Sequence, residues 1–239
     1  MFAFPAPGPD NGRKQPLTIV RRDGILANHF PQLADPRALC WSHDATQLVV
    51  RSKTADSRPP EYHLFVLSLG SNRVQQFGEP ESYATSQCWS PDDQQIVYST
   101  KNKIRIFNLK ATDSRNVAQG DFPTWSPDGQ EIAFHSSDGY YAISPAGRES
   151  RRLFKTKQGR SDLSWSPDSK IVAYLGTGGT FRETFRFLDV GLIQLRVVRL
   201  SDGSEDWVWQ TPDVPPAWSL DCVWLISKDS MTVEATLRK

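Results

Sequence analysis

Residues 124–134 read TWSPDGQEIAF, and the fold follows from that stretch. Thr124 and Trp125 end one extended run, Ser126 to Gly129 make a turn, and Ile132, Ala133 and Phe134 open the next run. Pro127 presets φ, the short side chains of Ser126 and Asp128 bond local backbone, and Gly129 relaxes the exit, as a type I turn requires. The pattern recurs without a gap in residues 40–50 (CWSHDATQLVV), 88–98 (CWSPDDQQIVY), 164–174 (SWSPDSKIVAY) and 217–227 (AWSLDCVWLIS).

The tryptophans Trp41, Trp89, Trp125, Trp165 and Trp218 are spaced by roughly 36 to 53 residues, the period expected of propeller blades. Three residues after each Trp comes Asp44, Asp92, Asp128, Asp168 or Asp221, and four residues further an aliphatic: Leu48, Ile96, Ile132, Val172 or Leu225. The next position is again apolar (Val49, Val97, Ala133, Ala173, Ile226), so both faces of this strand are built for burial, as in a blade sandwiched between neighbours. Further strand-like runs follow, such as 62–67 with 74–77 and 104–109 with 116–118, giving four strands per repeat. The expectation is an all-β, five-bladed β-propeller whose tryptophans pack between blades.

The chain left after Trp218 is shorter than any complete repeat, whereas 17–30 (LTIVRRDGILANHF) reads as strand, turn and strand with no blade of its own. It is therefore expected to complete the last blade, closing the ring with strands from both termini. Residues 1–16 are then a flexible tail and 17–239 one domain, with blades beginning near 36, 84, 120, 160 and 213.

The WSPDG-x-x-IAF pattern resembles that of the TolB-type, WD-repeat-like propellers, which also occur as non-catalytic domains of tricorn protease and dipeptidyl peptidase relatives. The resemblance spans roughly 17–237. His43 and Leu220 depart from it where the other copies carry Pro, and Ser227 stands where they carry Val50, Tyr98, Phe134 and Tyr174. It implies a fold and says little about activity.

Lys plus Arg number 28 against 27 Asp plus Glu, so no global field draws the chain to nucleic acid, and none is expected as a partner. No apolar run approaches the ~18 residues of a spanning helix, and the first residues lack a signal-peptide pattern. Three cysteines, Cys40, Cys88 and Cys222, fit neither a disulfide framework nor a zinc site. A cytoplasmic monomer is expected, or a periplasmic or extracellular protein if a leader or anchor has been removed.

Catalytic motifs are missing: there is no Gly-x-Ser-x-Gly, no His-Glu-x-x-His, and LGTGGT (175–180) lacks the ending of a phosphate-binding loop. His29, His43, His63 and His135 are scattered. Acids precede each repeat Trp (Asp35, Glu81, Asp121, Asp162, Asp213), but at offsets too variable for a catalytic pair, so they read as solvated loop charge. No catalytic residue, metal or cofactor is assigned. Two connections between second and third strands are long, 54–61 and 176–192, and the second carries Phe181, Arg182, Phe185 and Arg186, residue types that dominate interface energy. Arg151, Arg152 and Lys155 in the basic stretch 148–160 offer an anionic partner a second contact, against a reading as charge that protects an edge strand. The expected function is a non-catalytic protein-interaction scaffold or sensor; the alternative is a glycan-processing hydrolase with carboxylates at the channel mouth.

Overall fold

Two-residue alternation and frequent turn signals forecast strands throughout, and in the computed structural model every regular element among the described residues is a strand. The structure describes residues 2–5, 16–20, 26–54, 61–78, 87–156, 163–177, 193–210, 217–218 and 225–226. The chain divides into two compact units, Met1–Asn116 and Val117–Lys239.

The first sheet holds β1 (Phe2–Pro5), β2 (Pro16–Val20), β3 (Leu26–Trp41), β4 (Gln47–Thr54), β5 (Tyr62–Ser68) and β6 (Arg73–Phe77) side by side in chain order. The second is a meander of β7 (Gln87–Trp89), β8 (Gln95–Thr100), β9 (Lys103–Asn108) and β10 (Asp113–Gln119). A third comprises β11 (Asp121–Trp125), β12 (Ile132–Ser136), β13 (Gly139–Ile143) and β14 (Arg151–Lys155). The fourth comprises β15 (Leu163–Trp165), β16 (Ile171–Thr177), β17 (Ile193–Arg199) and β18 (Glu205–Gln210), and β19 (Ala217–Trp218) pairs with β20 (Leu225–Ile226).

One register runs through all five repeats: Trp41 faces Leu48, Trp89 faces Ile96, Trp125 faces Ile132, Trp165 faces Val172 and Trp218 faces Leu225. The turn chemistry explains why Ser and Asp recur. In four copies the Ser hydroxyl donates to the Asp two residues on, at 2.7 Å for Ser42 and 2.6 Å for Ser90, Ser126 and Ser166. The same oxygen accepts the N–H five residues on, from Gln47, Gln95, Glu131 and Ile171. Each Asp Oδ1 then accepts the N–H two residues further, of Thr46, Gln94, Gln130 or Lys170. All four serines are buried, so these bonds satisfy groups that would otherwise be stranded away from water. The residue after each Asp takes a left-handed conformation, φ 71° at Gly129 but also 56° at Ala45, 55° at Asp93 and 59° at Ser169.

The paired apolar positions behave as expected of strands covered on both faces: Leu48, Val49, Ile96, Val97, Ile132, Ala133, Val172 and Ala173 are each 0% exposed. Within the first unit Val49, Leu64, Val66 and Phe77 pack on Trp89, Ile96, Tyr98 and Phe107 of the second sheet. Within the second unit Ala133 and Tyr140 pack on Leu163, Trp165, Val172, Tyr174 and Val198 of the fourth. Trp89, Trp125 and Trp165 are buried, Trp41 is half-buried against the other face of the first sheet, and the Trp218 side chain lies outside the described residues. Trp89 also ties neighbouring repeats together by donating from Nε1 to the Cys40 carbonyl at 3.0 Å.

The amino-terminal segment differs from expectation in one respect. Phe2–Pro5 lies in the stretch read as a tail, yet it pairs with β2 from Phe2 opposite Val20 to Pro5 opposite Leu17, covering an edge that would otherwise offer unpaired backbone groups. β3 is continuous with the strand that opens the first repeat: its first half pairs with β2 and its second half with β4. Among the described residues β2 is thus joined to β1 and β3, while β19 and β20 pair with each other. Leu17, Ile19, Phe30 and Leu33 cover Leu48, Val50, Phe65 and Leu67, the face of the first sheet turned away from Trp89.

Candidate functional site

The end of the first sheet remote from the Ser42–Gln47 turn gathers charge around one aromatic ring. Side chains alternate along β4, so Arg51 and Lys53 follow Val49 onto the same face. The register sets Lys53 opposite Tyr62 on β5 and Arg37 opposite Arg51 on β3. On β3 the ladder slips between Ala34 and Arg37, and Asp35 there has φ 54°. Such a bulge re-aims a side chain at a conformational cost of about 1–2 kcal/mol. The buried Ser52 hydroxyl holds it by donating to the Ala34 carbonyl at 2.8 Å.

Asp35 is the hub. Its carboxylate accepts from Lys53 Nζ at 2.9 Å, from Arg37 Nε at 3.2 Å and from the Tyr62 hydroxyl. The Tyr62 ring has Arg51 Cζ 4.2 Å, Lys53 Nζ 4.6 Å and Arg37 Cζ 5.5 Å from its centroid, all within cation–π range. Partial burial would raise the Asp35 pKa, but hydrogen bonds from Tyr62, Lys53 and Arg37, with the Arg37 charge, outweigh it and hold the carboxyl at about 2. Bonding to Asp35 raises Lys53 and Arg37. Burial instead lowers Arg51 from its ordinary value. Arg37, Arg51, Lys53 and an Asp35 carboxyl held ionised near neutrality thus gather around one ring, a charge-rich end to the sheet.

No protein-family model and no curated protein sequence matches the chain. Solved structures do. TolB from Acinetobacter baumannii superposes with a TM-score of 0.62 at 15% identity, covering 88% of this chain and 53% of that one. The fold is a TolB-like β-propeller. An oligogalacturonate lyase from Vibrio parahaemolyticus aligns at TM-score 0.63 and 12% identity over 88% of this chain and 68% of its own. A chain in a nidogen/laminin complex aligns at 0.59 and 10% over 89% and 80% respectively. The chain thus spans about half the length of the TolB chain, and likeness at these identities concerns the fold alone.

On the TolB-like propeller the other candidate residues separate. Arg151 lies on β14 and forms a two-pronged ion pair with Glu131, at 2.7 and 2.6 Å. Arg152 and Lys155 both face Asp138, at 3.7 and 3.8 Å. This basic strand therefore sits among acids of its own repeat, as edge-protecting charge does. Phe181, Arg182, Phe185 and Arg186 lie outside the described residues, as do Asp221 and the acids Glu81, Asp162 and Asp213. His43 is held by Asp93, whose carboxylate accepts the His43 N–H at 2.9 Å, the Asp44 N–H at 3.0 Å and a contact from His43 Nδ1 at 2.8 Å. Among the described residues no group of three or more His, Cys, Asp or Glu could hold a metal, and no helix is long and apolar enough to cross a membrane.

In the sequence alone Asp35 reads as loop charge, and Arg37, Arg51, Lys53 and Tyr62 belong to no recognised motif. A signal was present. Arg51 and Lys53 occupy alternate positions on a strand whose preceding residues are apolar on both faces, where the second and third repeats place Ser99 and His135 opposite Arg51 in the alignment.

Proposed function

We propose that the chain is a non-catalytic protein-interaction propeller with five blades, engaging its partner through the ends of the repeats where second and third strands connect. The observation that carries this reading is the Tyr62 cradle: an aromatic ring with two arginines and a lysine, the residue types that concentrate interface energy. Asp35, with its pKa lowered to about 2, is unsuited to act as a general acid there. A related fold in a nidogen/laminin complex is consistent with protein binding. In this reading the insertion 176–192, with Phe181, Arg182, Phe185 and Arg186, is a second contact, since it joins the same pair of strands in the fourth repeat. The chain is taken as a soluble monomer of the cytoplasm.

The test is affinity capture with the wild-type chain and an Arg37→Glu, Lys53→Glu variant, alongside a screen for glycoside, ester and uronate-lyase activity. A salt-sensitive partner held by the wild type and lost by the variant is expected. Turnover that disappears on Asp35→Asn would replace this reading with the enzyme.

A further inference from the structure

We infer that Cys40 and Cys88 are a thiol pair that closes into a reversible disulfide, covalently joining the first repeat to the second. The inference is independent of the interaction reading above.

Position is the first argument. The two residues hold the same place in their repeats, each directly before the repeat Trp and each opposite a valine: Cys40 faces Val49 and Cys88 faces Val97. Both belong to the unit Met1–Asn116. Trp89 draws their strands together, because its Nε1 donates to the Cys40 carbonyl at 3.0 Å and its ring packs with Val49 in the cluster on which Cys40 rests. The Cys40 sulfur meets the Trp89 backbone N–H and shares a hydrogen bond with the Cys88 sulfur. Sulfurs already in such contact have a short way to close to the about 2 Å of a disulfide bond.

Chemistry is the second. Both thiols are free and half-buried. The hydrogen bond that each gives to the carbonyl of the following Trp is long, 3.8 Å at Cys40 and 3.5 Å at Cys88. A thiol is a weak donor, so little opposes turning the sulfurs towards each other. Hydrogen bonding with Cys88 and burial push the Cys40 thiol up, so it keeps its proton.

With glutathione disulfide as oxidant, exchange therefore starts at Cys88. Its thiolate attacks one sulfur of that disulfide, forming a mixed disulfide and expelling a glutathione thiolate. Cys40 then gives up its proton and attacks the Cys88 sulfur, expelling the second glutathione. Two protein thiols are oxidised, one glutathione disulfide is reduced to two glutathiones, and these take up the two thiol protons. Where reduced glutathione prevails the pair stays open, and a rise in the oxidised form closes it.

The test treats the full-length chain with glutathione disulfide at pH 8, caps the remaining thiols with N-ethylmaleimide and maps tryptic peptides by mass spectrometry. Cleavage after Arg37, Arg51, Arg73 and Lys101 puts Cys40 in 38–51 and Cys88 in 74–101. The folded chain should yield these two peptides linked with the loss of two hydrogens, and excess reduced glutathione should separate them. Proximity should favour this link at least about tenfold over either link to Cys222, a preference that disappears in urea. Cys40→Ser should trap glutathione on Cys88, whereas Cys88→Ser should leave Cys40 largely unmodified over the same time. Circular dichroism checks that both variants fold, and the wild-type map does not depend on them.

The inference is overturned if the folded chain gives no link between 38–51 and 74–101, if that link is no more frequent than in urea, or if Cys222 is the preferred partner of either cysteine. Faster capture of glutathione by Cys40 in Cys88→Ser than by Cys88 in Cys40→Ser overturns the order of attack.

Discussion

The two ends of the first sheet solve the problem of a charged side chain differently. At the turn end, Asp44 is satisfied locally by uncharged donors: it accepts the Thr46 N–H and hydroxyl and the Ser42 hydroxyl, all within two residues of it. At the other end Asp35 draws on Arg37, Lys53 and Tyr62, and the last two lie 18 and 27 residues away. The turn arrangement is repeated at Asp92, Asp128 and Asp168, whereas the Tyr62 cradle occurs once among the described residues. A feature stamped on every repeat serves the fold that all repeats share. A feature found in one repeat is not required by that shared fold.

The largest expected effect lies on the turn side. Trp89 is buried against Val49, Leu64 and Tyr98 and bonds the Cys40 carbonyl, so Trp89→Ala should destabilise the chain by about 3–5 kcal/mol in denaturant unfolding. Arg37→Glu at the opposite end, on a largely exposed side chain, should cost far less. Equal losses for the two variants would mean that the cradle is structural and the contrast between ends false. Trp89→Phe refines the comparison, because it loses a hydrogen bond as well as area. Trp165→Phe loses only area, since the Trp165 indole nitrogen is buried with no hydrogen-bond partner among the described residues.

The turn end was legible in the sequence because its chemistry is local and copied: Trp, Ser, Asp and the two aliphatics can be aligned by eye, and their register follows. The cradle was not, because its members come from three strands and only strand register joins them. Asp35 was visible but grouped with Glu81, Asp121, Asp162 and Asp213, an alignment that hid its cationic partners. Residues 17–30 are legible only in part: alternating Leu17 and Ile19 call for an apolar face to cover, and the strand ladder then lays them with Phe30 over Leu48, Val50 and Phe65.

Acid should separate the ends next. The Asp35 carboxyl is held at about 2 against an ordinary 3.8, so its pairing contributes stability that is full above pH 3.8 and is lost as pH falls through about 2. Asp92 and Asp168 are also lowered, by the Ser90 and Ser166 hydroxyls, and lose their contribution in the same direction. Screening at the partly exposed Asp35 limits its share to about 1 kcal/mol. Comparing urea midpoints at pH 5 and near pH 2, Asp35→Asn should show a smaller acid loss than the wild type by that amount. An identical acid loss would show that the cradle does not hold Asp35 ionised.

The smallest effect tests whether the copied turns are interchangeable. Ala45 and Asp93 occupy the same turn position with nearly the same left-handed φ, 56° and 55°. That conformation crowds a Cβ against the following carbonyl, and glycine relieves it at the expense of a more flexible unfolded chain. Ala45 is exposed, so Ala45→Gly should stabilise by about 0.5–1 kcal/mol. Asp93→Gly relieves the same crowding but removes the carboxylate that accepts the His43 and Asp44 N–H groups of the preceding turn. Its loss of charge-assisted bonds, about 1 kcal/mol or more, should reverse the sign. If both variants shift the melting temperature upward, the link from one turn to the next contributes nothing and each hairpin stands by itself; opposite shifts would show that the αL position has been adapted, repeat by repeat, to hold its neighbour.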